Sequence, residues 1–272
     1  MDQLKHLMFM LDNPIIICLL YVMIFFLGSS LGSFSLVIVR RGHNNDWKSW
    51  LTGKSKCESC GKTLVWWELI PFVSFLALRG KCSKCKTKID YSHFLTETFA
   101  GIVYSILFTL FLCEKIDVTQ FIFMLLAHII LIALSASDFL YREINVLPVY
   151  ALGVIGLAYN AIFNQSYWNI LIVIAAFVGF GILCAKDNFV LLGSGDIDVA
   201  IAIYALLGSV FGMIDVILYA ASAGIVLFCT LYRKSDKMIP FVPCLYFGYF
   251  LSSLDISVSQ AISDALLKLL EM

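Results

Sequence analysis

Eight stretches of this chain are apolar for long enough to cross a lipid bilayer, and that constrains the fold before any motif is considered. A helix rises about 1.5 Å per residue, so a hydrocarbon core near 30 Å thick takes about 20 mostly apolar residues. The first run goes from Ile15 to about Val39. Others follow at about 94–113, 118–137, 147–163, 168–185, 197–212, 213–232 and 239–254. Hydrophobic residues make up 61% of the chain and charged residues 14%, with a mean hydropathy of +0.91. Soluble globular proteins have roughly 45–50% and about 25%. A disordered chain, a fibrous chain and an ordinary soluble domain are excluded. The expectation is an all-α integral membrane protein with about eight transmembrane helices and one polar insertion.

The first run is too long for a signal-peptide core, and no small-residue cleavage site follows it, so it reads as a retained span. The organisation follows: a first span over 1–39, a polar insertion over 40–93, a seven-span bundle over 94–254 and a tail over 255–272. The tail is too short and mixed to span. Its Ile256, Ile262, Leu266, Leu267 and Leu270 could line one face of an interfacial helix.

Lys and Arg concentrate in cytoplasmic loops. The insertion holds 11 of the 19, from Arg40 and Arg41 to Lys88, and placing it inside lets the other connections alternate without conflict. Only Lys5, Lys115 and Lys268 then fall outside, and both termini are extracytoplasmic. Nucleic-acid binding is the competing reading of so basic a loop. The positive-inside bias accounts for the charge without a ligand, so no nucleic-acid partner is expected.

Within the insertion, Cys57-x2-Cys60 and Cys82-x2-Cys85 are separated by 21 residues. Paired C-x2-C turns at such spacing suit a tetrahedral zinc site, since each turn brings two thiolates to within about 2.3 Å of one ion. Two disulfides are the alternative and need an oxidising compartment. The charge rule puts the loop in the reducing cytoplasm. Four closed ligands leave no position for a substrate, so the zinc is structural. Cys18, Cys113, Cys184, Cys229 and Cys244 share no spacing and read as small buried hydrophobes.

Acids in or beside apolar spans are costly and tend to mark function. Glu97, Asp138, Asp196 and Asp215 are the candidates. Asp138 ends the third span, and Asp196 opens the sixth within Gly193-Ser194-Gly195-Asp196. Under the topology above both lie at cytoplasmic helix ends. Taken singly, Asp138 reads as a polar helix end and Asp196 as an N-cap. Together they suit aspartic catalysis, where two carboxylates share a proton, one activating water and the other donating to the carbonyl oxygen. Gly193 and Gly195 would let an extended substrate backbone approach.

These residues resemble the type IV prepilin peptidases, bifunctional membrane aspartic proteases of the G-x-G-D class, over nearly the full length. The matching motifs are Gly32-Ser33-Phe34 with Arg40-Arg41, the two C-x2-C turns, Glu68-Leu69-Ile70-Pro71 and Arg79-Gly80. Tyr91, Glu97, Asp138 with Ile144, Gly193-Ser-Gly195-Asp196, Ile239-Pro240-Phe241 and Pro243 complete them. Three departures stand out: Asn145 where the family usually has Pro, Asp198 where it commonly has Lys, and Ser35-Leu36 where many members have Leu-Asn. The resemblance implies a bacterial inner-membrane enzyme whose substrates are prepilins and pseudopilins. It removes their short basic leader after Gly on the cytoplasmic side. It then methylates the new N-terminal amine with S-adenosylmethionine.

On that resemblance Asp138 and Asp196 are the catalytic pair and Gly193 and Gly195 the active-site loop. Cys57, Cys60, Cys82 and Cys85 hold the metal, and the retained cysteine insertion implies that methylation is retained too. Glu68 and Glu97 have structural or methylation-linked roles. The Gly28-x3-Gly32 pattern suits helix packing better than donor binding, and no residue is singled out as binding the methyl donor. Two other readings remain: a transporter with a proton path of intramembrane acids, and a membrane assembly factor whose aspartates only cap helices.

Overall fold

The computed structural model describes residues 13–43, 53–164, 194–232 and 239–254, with scattered helical positions between 168 and 179. The fifth expected span falls largely outside these residues, as do Gly193 and the tail over 255–272. The chain divides into two compact units, Met1–Leu125 and Leu126–Met272.

The first unit opens with α1 (Pro14–His43). Asn13 Oδ1 accepts the Ile15 N–H at 2.9 Å, and proline is suited to the first helical position because it has no N–H to satisfy. Arg40, Arg41 and His43 in the last turn complement the helix dipole. After the cysteine turns and the short helix α2 (Val73–Ala77) comes α3 (Tyr91–Leu112), capped by Asp90, whose side chain accepts the Ser92 N–H. That cap starts the helix three residues before the apolar run.

The α1–α3 contact is close because glycines line it. A Cβ on Gly28 would lie 2.7 Å from the Ala100 carbonyl oxygen, and one on Gly32 2.7 Å from Ala100 Cβ. The G-x3-G pattern therefore serves helix packing, as expected.

The dividing point falls within α4 (Val118–Tyr141). A reciprocal capping box opens this helix: Asp117 Oδ1 accepts the Gln120 N–H at 2.8 Å, and Gln120 Oε1 accepts the Asp117 N–H at 3.0 Å. Next are α5 (Val146–Tyr159), α6 (Ser194–Leu207), α7 (Val210–Leu227) and α8 (Val242–Ser252). Asn145 caps α5 by accepting the Leu147 N–H at 3.0 Å, so this departure from the family's proline still begins a helix.

The sixth and seventh spans differ from the expected 197–212 and 213–232. Gly208 adopts φ 62°, a left-handed conformation that closes α6, and Ser209 caps α7. The apolar run is continuous there, so hydropathy alone misses the break.

Among the described residues, five helices are long and apolar enough to cross a bilayer: Pro14–His43, Tyr91–Leu112, Val118–Tyr141, Val146–Phe163 and Val210–Thr230. The sixth and eighth expected spans are helical but shorter. Large apolar side chains such as Met23, Leu126, Val154 and Ile225 point outward, which suits lipid and not water. The protein is a multi-pass, all-α membrane protein. Of the cysteines outside the turns, Cys244 is buried while Cys18, Cys113 and Cys229 are exposed. Burial was the wrong expectation for those three, because a lipid-facing surface accepts an apolar side chain as readily as a core does.

Candidate functional site

The four cysteines come together. Their Sγ atoms all lie within 4.8 Å of one another, and Cys57 Sγ is 3.8 Å from Cys85 Sγ. A tetrahedron with metal–sulfur bonds near 2.3 Å has edges of about 3.8 Å, whereas a disulfide needs about 2.05 Å. All four are free thiols. This donor set could hold one metal ion.

Each cysteine turn is built the same way. Isolated bridges pair Lys56 with Thr63 and Lys81 with Lys88. Cys57 N–H donates to the Lys62 carbonyl and Cys82 N–H to the Thr87 carbonyl, both at 2.9 Å. The residue after each second cysteine is left-handed: Gly61 at φ 66° and Lys86 at φ 60°. Thiolate character is uneven. Hydrogen bonds from the Thr87 side chain and backbone bring Cys85 down to about 6. Despite the Lys62 backbone hydrogen bond, burial and the sulfurs of Cys85, Cys57 and Cys82 push Cys60 up to about 11. A cation at the centre would remove that conflict.

Glu68 ties the two turns together. Its Oε1 accepts Lys62 Nζ at 2.7 Å and the Ser83 hydroxyl, and its Oε2 accepts the Val65 N–H at 3.0 Å. The Lys62 and Ser83 hydrogen bonds, with that from Val65, hold its carboxyl down at about 2. Glu97, on α3, is 8% exposed and its Oε2 accepts the Phe72 N–H at 2.8 Å. Phe72 has φ 62° and ψ −53°, and the Pro71 carbonyl accepts the Val73 N–H at 2.6 Å across it. This is the strained, positive-φ form of the γ-turn.

In the second unit, Asp138 occupies the last turn of α4 and is 6% exposed. Its Oδ2 accepts the Val242 N–H at 3.0 Å. Asp196 is half-buried in the first turn of α6. Because α6 begins at Ser194, Asp196 lies inside the helix and is not its N-cap. A Cβ on Gly195 would lie 2.7 Å from Ile144 Cδ1, so packing against the turn after Asp138 explains the glycine. Asp215 is buried in α7. Asp138 and Asp196 sit at helix ends, which suits paired carboxylates at an interface better than a proton path through mid-membrane.

Two features escape sequence reasoning. His128 is fully buried in α4, with Nδ1 3.0 Å from the Tyr246 hydroxyl and its ring against Tyr249 and Phe250. A lone histidine inside an apolar span was the available signal. Arg40 bridges Glu58 at 2.7 Å and Asp90, joining residues that sequence spacing does not relate.

The family model for the Bacterial Peptidase A24 N-terminal domain matches residues 26–111. A prepilin leader peptidase/N-methyltransferase of Vibrio cholerae is 29% identical over 199 residues, covering 66% of this chain and 75% of that protein. The protein of the same name from Bacillus subtilis is 30% identical over 224 residues, covering 74% and 81%. One from Myxococcus xanthus is 36% identical over 83 residues, 30% of this chain and 24% of its own length. No solved structure matches. The family model spans both cysteine turns, and the match to the Bacillus subtilis protein covers most of both chains; the chain belongs to the prepilin leader peptidase/N-methyltransferase family.

Proposed function

We propose that this protein is an inner-membrane enzyme that cleaves the basic leader from prepilins or pseudopilins after glycine, facing the cytoplasm, and then N-methylates the new terminus. The observation that carries the reading is the packing of Gly195, beside Asp196, against Ile144 in the turn after Asp138, in a chain of this family. One aspartate takes a proton from water as its oxygen attacks the scissile carbonyl carbon. The other, protonated, donates to the carbonyl oxygen. Collapse of the tetrahedral species breaks the C–N bond, and the departing amine takes up a proton. Gly195 keeps the Asp196 turn against Ile144 and so holds the two carboxylates in register.

Cys57, Cys60, Cys82 and Cys85 hold a structural zinc ion, which cross-links a segment too small to fold on an apolar core. Zinc is favoured by the four-sulfur, closed donor set. S-adenosylmethionine, when bound, supplies an activated methyl group. Incubating purified protein with a prepilin-like peptide and labelled methyl donor tests the reading. It expects a single cut after glycine and label on the new terminal amine. An intact peptide, or cleavage at scattered bonds, contradicts it.

A further inference from the structure

The unit Met1–Leu125 contains a cavity of about 420 Å³ between α1, the cysteine turns and the start of α3. That volume suits a small organic ligand. Leu69, Phe75 and Leu78 give it apolar wall for a flat ring. Exposed Lys54, Lys56 and Lys88 form a basic rim.

Most of its acids already have cations. Arg40 pairs with Glu58 and Asp90, and Lys62 with Glu68. Glu97 differs. Its carboxylate is buried, lines the cavity and has the Phe72 N–H and the Ser33 hydroxyl as partners, with no cation among the described residues. A buried carboxylate with only neutral donors gains most from a positive ligand. The strained turn at Phe72 places its N–H on Glu97, and strain held at one position is characteristic of binding sites.

We propose that this cavity is the methyl-donor site, with the sulfonium of S-adenosylmethionine against Glu97 and its carboxylate toward the lysine rim. The inference rests on the methyltransferase reading above. A sulfonium has no hydrogen to donate, so a carboxylate complements it where a neutral acceptor does so poorly.

Calorimetric titration of the purified full chain with S-adenosylmethionine and S-adenosylhomocysteine tests this, with circular dichroism as the check on folding. The second ligand lacks only the methyl group and, with it, the positive charge on sulfur. Glu97→Gln keeps an oxygen for the Phe72 N–H and is expected to weaken the sulfonium ligand about tenfold or more, and its neutral analogue by under about threefold. In parallel, ultraviolet cross-linking of labelled donor to the unsubstituted protein is expected to mark peptides within residues 33–97. Unchanged affinity, equal loss of both ligands, or label within 126–232 overturns the proposal. A protein that cleaves peptide but neither transfers methyl nor binds donor overturns the methyltransferase reading, and this site with it. Methyl transfer with label elsewhere overturns the site alone.

Discussion

Asp138 Oδ2 accepts the Val242 N–H at 3.0 Å, which seats the carboxylate at the end of α4 on the first turn of α8. Helix N-termini present N–H groups without intrahelical partners, so this contact alone would make Asp138 a cap for its neighbour. Capping and catalysis separate on a single substitution. Asparagine keeps an oxygen for the N–H but carries no charge and shuttles no proton.

Gly195→Ala is expected to lower cleavage about tenfold or more, because the added methyl meets Ile144 Cδ1 at 2.7 Å and Cβ at 2.9 Å and overpacking of this kind costs about 1–3 kcal/mol. Adding Ile144→Val removes the nearer atom and should recover part of the loss. Cleavage rates of the single and paired variants give the check. If the methyl group matters by blocking substrate, the second substitution recovers nothing.

Glu68→Ala is expected to loosen the cysteine turns by about 2 kcal/mol or more, the scale of a charge-assisted hydrogen bond, read as earlier release of bound metal on heating. The carboxyl sits near 2 in place of its ordinary 4.5. Its contribution is therefore full above about 4.5 and lost as pH falls toward 2. Between pH 7 and 5, wild type and variant should differ by a constant amount.

Lys86→Gly is expected to stabilise the second turn by about 1 kcal/mol, since Lys86 holds φ 60° and a side chain is disfavoured there. The first turn already has Gly61 at the corresponding position. Metal-release temperature should rise.

With metal bound, all four cysteines are expected to resist alkylation. After chelation at pH 7, limiting iodoacetamide should modify Cys85 first and Cys60 last, because Cys85 is exposed and held near 6 while Cys60 is pushed to about 11. Mass-spectrometric mapping of the label gives the order.

The five long helices and the four-cysteine cluster were legible because each depends on a local pattern: run length for the helices, C-x2-C for the turns. The two aspartates were legible as helix ends, one in the last turn of α4 and the other in the first turn of α6. What could not be read depends on groups far apart in sequence. Glu68 joins Lys62 to Ser83, Glu97 holds the Phe72 turn, and His128 meets Tyr246 across 118 positions. The break at Gly208 and the left-handed Lys86 are backbone conformations that hydropathy does not carry.

The most direct test compares leader-peptide cleavage by wild type, Asp138→Asn and Asp196→Asn, with methylation of a pre-cleaved peptide followed alongside. Loss of cleavage by about a thousandfold or more in both variants, with methylation of the pre-cleaved peptide retained, is the predicted result. Substantial cleavage in either variant would contradict the aspartic mechanism and leave that aspartate a purely structural role.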